Sequence, residues 1–315
     1  MIFSIKKFKI VNMSNENNES NVKAPKVKTA VLTRTIGNKI KNFFIYNPPG
    51  KNPRVWELDL LRGLLILAVT FDHFFMFLDQ WQFIPFKTEI GQKIMDFAYV
   101  YRNSSFRNAM QPFALFLFCF LAGLNCRFTR SNFRRVFKFW IFCAVFMGGF
   151  ALLKLLLPNM LDVYLIFNII TVLTISFTIW WLFDLIKLPT WIRASIGTVL
   201  IVIGMVCYYK HFAEPEDFYV QNEFLALMVY NEHGLEMSVN NFEPLLPHLG
   251  WFLIGGVIGK FAYPDNKTHC KQVYPPKPLR PLLLVGKHSL VFFLIGPVIV
   301  FAPLWLIVLI VGLFL

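Results

Sequence analysis

The sequence predicts an all-α polytopic membrane protein, a bundle of about seven transmembrane helices with a cytoplasmic N-terminus. Of its 315 residues 56% are hydrophobic and only 16% are charged, whereas a soluble domain of this size carries about 25% charge. Several charge-poor stretches reach the ~20 residues that a helix needs to cross the hydrocarbon layer. The positive charge is concentrated in alternate connections between these stretches.

The distribution of Lys and Arg predicts the orientation of the chain. The segments 1–58, 127–138, 184–193 and 260–280 hold 11, 5, 2 and 5 of them, whereas the intervening segments 79–109 and 210–243 hold 4 and 1. The positive-inside rule therefore places the N-terminus in the cytoplasm, in a multi-pass protein of the cell (cytoplasmic) membrane. Nucleic-acid binding is excluded as the reason for the net charge of +13, because the charge flanks predicted spans.

The apolar stretches divide the chain into spans. We predict them at about 55–78, 109–126, 137–157, 162–183, 191–209, 245–262 and 282–313. The last stretch contains Gly296-Pro297 and Ala302-Pro303, so it forms one kinked helix or two short helices, which would make eight spans. No internal repeat is visible, unlike in many transporters.

The first 53 residues form a separate region, a cytoplasmic polar tail that precedes the transmembrane domain at 54–315. Residues 1–30 are rich in Asn and Lys and are predicted to be disordered. Residues 31–46 fit a basic amphipathic helix on the inner leaflet, and they fit a plain linker nearly as well.

The first predicted span carries ionisable residues at membrane depth, where a charge costs about 2.5–3.5 kcal/mol on insertion scales. Asp59, Arg62, Ile66, Thr70 and His73 share one stripe of a helix. Arg62 and His73 lie 11 residues apart, which corresponds to about 16 Å along the axis. The stripe therefore predicts a polar path with a guanidinium toward the cytoplasm and an imidazole in the outer half.

These residue types suit transfer chemistry. Arginine binds phosphate or carboxylate groups, and neutral histidine is a common general base. Any carboxylate that orients His73 must come from another helix or loop, because the residues four positions away, Val69 and Phe77, are apolar. The sequence contains no P-loop, HExxH or GxSxG motif and no CxxC pattern, so we expect no metal.

Structural roles are open for the same residues. Asp59 and Arg62 are spaced for an ion pair that satisfies itself, and His73 could be a buried histidine bonded to a neighbouring helix. Asn125 and Asn168 are typical of hydrogen bonds between helices. The basic run that includes Arg134 and Arg135 is also a simple topology signal.

Four segments carry a family resemblance. They are LDLLRGLLILAVTFDHFF at 58–75, PFALFLFCFLAGLNCRFTRSNFRRVFKF at 112–139, FEPLLPHLGWFLIGGVIGKFAY at 242–263 and LLLVGKHSLVFFLIGPVIV at 282–300. In this order they resemble the DUF1624 or YeiB-like membrane proteins, relatives of the heparan-alpha-glucosaminide N-acetyltransferase catalytic domain. The spacing of Arg62 and His73 is also similar to the R-x10-H pattern of the acyltransferase-3 family.

The resemblance implies an integral-membrane acyltransferase that moves an acyl group, usually acetyl, from cytoplasmic acyl-CoA to an acceptor outside. That acceptor would be a cell-envelope glycan or sugar, and the lipid bilayer the other partner. A homo-oligomer is compatible with the sequence. The implied catalytic residues are His73, Arg62 and Asp59. The implied residues for the acyl-CoA donor are Arg62, Arg134, Arg135, Lys287, His288 and Asn125.

The chain departs from the family pattern at two places. Many relatives have a histidine in the fourth helix where this chain has Thr171, and His-Gln-Pro in the last helix where it has Ile295-Gly296-Pro297. Two other function classes therefore stay open. One is a transporter or flippase that uses the charged stripe as a relay, and the other is a catalytically inactive membrane interaction protein of the same fold.

Overall fold

The structure, a computed structural model, describes residues 54–80, 89–129, 131–156, 167–213, 218–238, 242–265, 267–270, 275–296 and 303. All of them belong to one of the two compact units of the chain, Pro49–Leu315. The predicted tail at 1–53, with its helix or linker at 31–46, lies outside the described residues. Every regular element in the described ranges is helical.

The helices follow one another along the chain and are numbered here in that order. They are α1 (Trp56–Gln80), α2 (Glu89–Arg102), α3 (Ser105–Leu124), α4 (Asn132–Leu156), α5 (Ile169–Leu185), α6 (Thr190–Ala213), α7 (Glu223–Ala226), α8 (Glu232–Met237), α9 (Leu245–Ala262), α10 (Arg280–Lys287) and α11 (Ser289–Gly296). Short 3₁₀ turns follow α3 at Asn125–Phe128 and precede α10 at Lys277–Leu279.

Four helices in the described part of the chain are long and apolar enough to cross a membrane. They are Ser105–Phe128, Asn132–Leu156, Thr190–Ala213 and Leu245–Ala262. The segments Lys277–Lys287 and Ser289–Gly296 bend by 79° at their junction and would add a fifth span if they form one. The prediction of an all-helical, multi-pass membrane protein is confirmed, whereas seven spans and the side of the N-terminus remain predictions.

Helix α9 is central to the bundle and packs against α3, α5 and α6. Glycine lets α3 and α9 approach until their backbones touch. A Cβ atom on Gly123 would lie 1.9 Å from the Phe252 carbonyl oxygen, and one on Gly255 would lie 2.1 Å from that of Phe120. Small residues at such contacts are typical of helix pairs in membranes. The contacts advance in the same direction along both helices, from Phe116 with Trp251 to Leu124 with Gly259, so α3 and α9 run parallel.

A partly buried ion pair holds three helices together. Asp184, near the end of α5, accepts hydrogen bonds from Asn132 of α4 and Arg193 of α6, each at 2.6 Å. The Arg193 guanidinium also lies over the Trp180 ring, 4.8 Å from its centroid. One carboxylate therefore joins the ends of α4, α5 and α6, which positive charge predicts to face the cytoplasm.

Helix starts differ from the sequence prediction where polar side chains cap them. Asn168 accepts hydrogen bonds from the backbone N–H groups of Ile170 and Thr171, so it caps α5. Asn168 also donates from Nδ2 to the Met147 sulfur of α4 at 3.5 Å, so the expected hydrogen bond between helices is present beside the cap. Helix α4 starts at Asn132, and so Arg134 and Arg135 lie in its first turn rather than in a loop.

Two connections are more structured than expected. The predicted outer connection at 79–108 contains α2. The last predicted span, 282–313, is interrupted at His288, which ends α10 and precedes α11. This break lies before Gly296-Pro297, and residues 297–302 and 304–313 lie outside the described part of the chain, so the choice between one kinked helix and two short ones stays a prediction.

Helix α10 packs against α1 through glycine on both sides. A Cβ atom on Gly286 would lie 1.7 Å from the Asp59 carbonyl oxygen, and one on Gly63 would lie 2.3 Å from that of Leu282. Backbone atoms cannot move aside as a flexible side chain can. This contact therefore fixes how closely α10 approaches the segment of α1 that carries the ionisable stripe.

Gly286→Ala is expected to destabilise the protein by about 1–3 kcal/mol, because the added methyl group forces α10 away from α1. Gly148→Ala in α4 is the matched control. No atom lies within 4 Å of a Cβ at that position, and alanine is the better helix former by about 1 kcal/mol. Thermal unfolding of the detergent-purified variants, followed by tryptophan fluorescence, measures the difference. Equal losses in both variants would contradict the close contact.

Candidate functional site

Helix α1 has one exposed apolar face and one face turned into the protein. Leu61, Leu64, Leu67 and Phe71 are exposed. Ile66 of the predicted stripe is 2% exposed, and the stripe lies on the side opposite those residues. The ionisable residues of α1 therefore face other helices.

The Asp59 carboxylate is the most deeply buried group of the stripe, with 1% of its side chain exposed. Arg54 donates to it from Nε at 2.6 Å and from Nη2 at 3.0 Å. Arg62 donates to Oδ1 from Nη1 at 2.7 Å. Two guanidinium groups thus share one carboxylate, which offsets the cost of removing these charges from water.

Arg62 also connects α1 to α3. Its Nη2 donates to the side-chain oxygen of Asn125, just after α3, and 13% of the Arg62 side chain is exposed. The ion pair foreseen as an alternative for Asp59 and Arg62 is therefore present. Asn125 makes a hydrogen bond between helices, also one of the open alternatives.

A second ion pair joins α1 to α3 near the other end of α1. Asp72 accepts hydrogen bonds from Nε of Arg107 at 2.9 Å and from Nη2 at 3.3 Å. The Tyr101 hydroxyl of α2 donates to the same carboxylate at 3.2 Å. These contacts restrain the rotation of α1 about its axis. They lie on a different face of the helix from that of the neighbouring residue, His73.

His73 is partly buried and oriented by its own helix. Its Nδ1 lies 2.8 Å from the Val69 carbonyl oxygen. Because a carbonyl only accepts, Nδ1 carries the proton and Nε2 keeps a lone pair in the neutral ring. The orienting group is therefore a backbone carbonyl of α1, and the expectation of a carboxylate from another helix or loop is not met by this contact.

The end of α11 lies next to the same stripe. A Cβ atom on Gly296 would lie 3.2 Å from the Thr70 hydroxyl oxygen, and Thr70 is three residues before His73. The segment in which many relatives have His-Gln-Pro thus packs against the stripe of α1. At the other departure, the Thr171 hydroxyl lies 3.7 Å from the Cys143 sulfur.

The residues predicted to bind the donor do not form one group. Arg134 is exposed, whereas Arg135 donates to the Thr129 hydroxyl at 2.8 Å and lies over the Phe177 ring at 4.3 Å. Lys287 and His288 lie at the junction of α10 and α11. The structure therefore brings Asp59, Arg62 and Asn125 together and holds Arg135 in an inward-facing contact.

The structure also brings together a carboxylate and an imidazole that sequence reasoning missed. Glu243 precedes α9, and its Oε2 lies 3.8 Å from Nε2 of His248 in the first turns of that helix. The two side chains are 15% and 8% exposed. Burial raises the pKa of Glu243 to about 8. The signal available in the sequence was the same as in α1, ionisable residues inside a largely apolar segment.

The described residues include no group of three or more His, Cys, Asp or Glu side chains placed to hold a metal ion. The ionisable groups instead form pairs between helices. The bundle contains helices long enough to cross a membrane, an inward-facing imidazole and paired charges. These features define a class, the multi-pass membrane proteins that have a polar site within the bundle.

Comparison with protein families identifies the group within that class. The model of the heparan-alpha-glucosaminide N-acetyltransferase catalytic domain matches residues 54–297, well over half of the chain. The chain therefore belongs to this family, and its function is of the membrane acetyltransferase type. A search of curated proteins and a search of solved structures find no match. The likeness to the DUF1624 or YeiB-like membrane proteins and the likeness to the acyltransferase-3 family stay resemblances.

Removal of the Asp59 carboxylate should destabilise the protein far more than removal of its more exposed partner, Arg54. Asp59→Ala leaves two arginines facing each other without their acid, so we expect a loss of about 3–5 kcal/mol. Arg54→Ala is the matched control. Arg54 is 41% exposed, and we expect a loss of about 1 kcal/mol or less. Chemical or thermal unfolding in detergent measures both. A smaller loss for Asp59→Ala than for Arg54→Ala would contradict the central position of this carboxylate.

The raised pKa of Glu243 predicts a pH dependence of stability. The folded chain keeps the proton up to about pH 8, whereas the unfolded chain releases it near the ordinary value of 4.5. Between these values the folded state binds more protons, so stability falls as pH rises. Glu243→Gln, which is neutral throughout, should therefore gain melting temperature relative to the wild type between about pH 5 and pH 8.5.

Glu232→Gln is the control for this comparison, since Glu232 is a more exposed carboxylate in the same region of the chain. The steady gain in melting temperature from about pH 5 to pH 8.5 is expected for Glu243→Gln and not for this variant. Melting curves of Glu243→Gln and the wild type that run parallel would show that the Glu243 carboxyl titrates normally.

Proposed function

We propose that this protein transfers an acyl group, most simply acetyl, from acyl-CoA on the cytoplasmic side to an acceptor on the other side of the membrane. The acceptor is a cell-envelope glycan or sugar. The observation that carries the proposal is the inward-facing stripe of α1 in a chain of this family, with Arg62 and His73 on the same face about 16 Å apart. The N-terminus is taken as cytoplasmic, as the charge distribution predicts.

His73 serves as the acyl carrier or as the general base near the acceptor. Support comes from its hydrogen bond to the Val69 carbonyl, which leaves Nε2 with a lone pair. As a carrier, Nε2 attacks the thioester carbonyl carbon, the bond from that carbon to sulfur breaks, and CoA leaves as the thiolate. As a base, Nε2 takes the proton of the acceptor while the acceptor attacks the thioester carbonyl carbon, the bond from that carbon to sulfur breaks, and CoA leaves as the thiolate.

Arg62 serves the donor side. Its guanidinium, held by Asp59 and Asn125, presents a fixed positive charge near the entry of α1, where an anionic donor would approach. Arg134, which is exposed, would meet the CoA phosphates from solvent, and Lys287, His288 and Arg135 would add positive charge or hydrogen bonds at the same side. Asp59 positions Arg62 and holds its charge in place.

An inactive membrane interaction protein is the second candidate. The observation that favours it is the composition of the two departures, where Thr171 contacts Cys143 and Gly296 contacts Thr70. Neither position supplies an imidazole. A transporter is less well supported, because the sequence has no internal repeat.

Transfer of radiolabel from acetyl-CoA by the purified, reconstituted protein tests the proposal. His73→Ala should lower the rate at least about 100-fold without changing the melting temperature, because the carrier or base is lost. His233→Ala is the control, since His233 stacks on Tyr219 in the outer segment away from α1. In the same assay Arg62→Ala should raise KM for acetyl-CoA.

Each outcome has a consequence. Full activity of His73→Ala would remove the catalytic assignment, and an unchanged KM in Arg62→Ala would place the donor elsewhere. A wild-type protein with no transfer and no turnover of acetyl-CoA in any acceptor mixture would favour the inactive interaction protein.

A further inference from the structure

Glu243 is a buried acid surrounded by uncharged groups. Within the described residues the basic side chain that lies near it is His248, and burial raises the pKa of the Glu243 carboxyl. The groups within electrostatic reach of its carboxylate are Cys119 of α3, Tyr208 of α6 and Tyr230 before α8. A buried carboxylate among such neighbours is costly, and a cationic ligand would offset that cost.

His248 is held so that one nitrogen points at this acid. Its Nδ1 lies 2.8 Å from the Pro244 carbonyl oxygen, so the Nδ1 proton is donated there and Nε2 keeps its lone pair. The lone-pair nitrogen is the atom that lies 3.8 Å from Glu243 Oε2. That separation is too long for a hydrogen bond, so the two atoms are neighbours without being bonded to each other.

A third atom can satisfy both. A nitrogen about 2.9 Å from each would lie to one side of the line that joins them and make two normal hydrogen bonds. An ammonium group has three N–H donors, enough for the carboxylate oxygen and the imidazole lone pair. A hydroxyl group has one donor and no charge, and it fits this arrangement less well.

We propose that Glu243 and His248 form the site that receives the amino group of the acceptor, with Glu243 binding the ammonium and His248 taking its proton. The proposal rests on the proposed acyl transfer and adds its acceptor side. It also rests on the place of His248 along the bundle. Trp251, one turn later in α9, contacts Phe116 of α3 at 4.3 Å between ring centroids, so His248 lies at the depth of the first half of α3.

His73 lies at the same end of α3. Its neighbour Asp72 is bonded to Arg107 in the first turn of that helix. Two imidazoles with available Nε2 atoms thus belong to the half of the bundle that the charge distribution predicts to face outward. If His248 removes the acceptor proton, the role left to His73 is that of acyl carrier.

The transfer step balances with these groups. One proton passes from the ammonium nitrogen to His248 Nε2, which leaves a neutral amine with a lone pair. The amine nitrogen forms a bond to the acyl carbonyl carbon, and the bond from that carbon to its carrier, thioester sulfur or imidazole nitrogen, breaks. The new amide nitrogen loses its second proton, which neutralises the leaving thiolate or, where His73 is the carrier, passes to the imidazole that leaves with its Nδ1 proton retained.

Other titratable groups surround the site and would be seen in a pH profile. His211 of α6 lies 3.5 Å from Glu232 and 4.8 Å from the Tyr230 ring. The neighbours of Glu243 itself are Cys119, Tyr208 and Tyr230. Control variants therefore come from the pair of His211 and Glu232, which is close but does not contact the proposed site.

The first arm of the experiment measures binding and needs no catalysis. Methyl α-glucosaminide, which has an amino group, and methyl α-glucoside, which has a hydroxyl there, are titrated calorimetrically into the full chain in nanodiscs. The wild type should prefer the amino sugar, and Glu243→Gln should lose at least about tenfold of that preference because the anion is gone. Glu232→Gln should keep it. Equal binding of the two sugars by the wild type, or no binding of either, overturns the proposal.

The second arm separates His248 from His73. Exchange of radiolabelled CoA into acetyl-CoA requires acyl transfer to the protein but no acceptor, whereas acetylation of methyl α-glucosaminide requires both. His248→Gln should slow acetylation about 100-fold or more and leave exchange unchanged, while His211→Gln should change neither. Normal acetylation by His248→Gln overturns the proposal. Absence of both exchange and acetylation in the wild type would refute the proposed function. The binding arm would then test by itself whether Glu243 and His248 bind the amino group.

Discussion

The Asp59 carboxylate is the constraint on which the half of the bundle around the start of α1 depends. It accepts hydrogen bonds from Arg54 and Arg62, and it is the acid that lets the Arg62 guanidinium lie largely buried. Arg62 then reaches Asn125 and joins α1 to α3. The backbone carbonyl oxygen of Asp59 lies where only a glycine, Gly286 of α10, can approach. Asp59 thus fixes α1 to two neighbours. Its side chain acts through Arg62 on α3, and its backbone contacts α10.

Near the start of α3, backbone carbonyls orient two imidazoles. His73 and His248 each lie with Nδ1 2.8 Å from the carbonyl oxygen four residues earlier, Val69 and Pro244 respectively. Neither imidazole therefore depends on a charged side chain for its orientation. This arrangement leaves both Nε2 atoms able to accept a proton or to attack a carbonyl carbon.

The features predicted correctly from sequence are those encoded over a helix length. Long apolar segments predicted the multi-pass helical fold, and the spacing of Asp59 and Arg62 predicted their common face. Features set by one side chain or one contact were missed. The cap at Asn168 sets the start of α5, and the break at His288 separates α10 from α11. Periodicity carries no information on either.

The pair of Glu243 and His248 was missed for a related reason. Its members are five residues apart and lie on either side of a helix start, so no helical spacing relates them. Their proximity depends on the turn into α9, and their burial depends on helices α3 and α6 from distant parts of the chain. The attention given to ionisable residues in α1 applies equally to this segment, since both lie in largely apolar sequence.

The energetic character of Glu243 bears on the choice between an enzyme and an inactive relative. A bundle that served only as a scaffold would gain stability from an uncharged residue at this position, because the raised pKa of Glu243 means that the fold disfavours its ionised form. Residues that contradict the packing around them are expected where binding or chemistry requires them. The two departures at Thr171 and Gly296 remove imidazole positions of the family. An acid beside an imidazole is therefore the feature that an interaction protein leaves unexplained, and the proposed acceptor site would account for it.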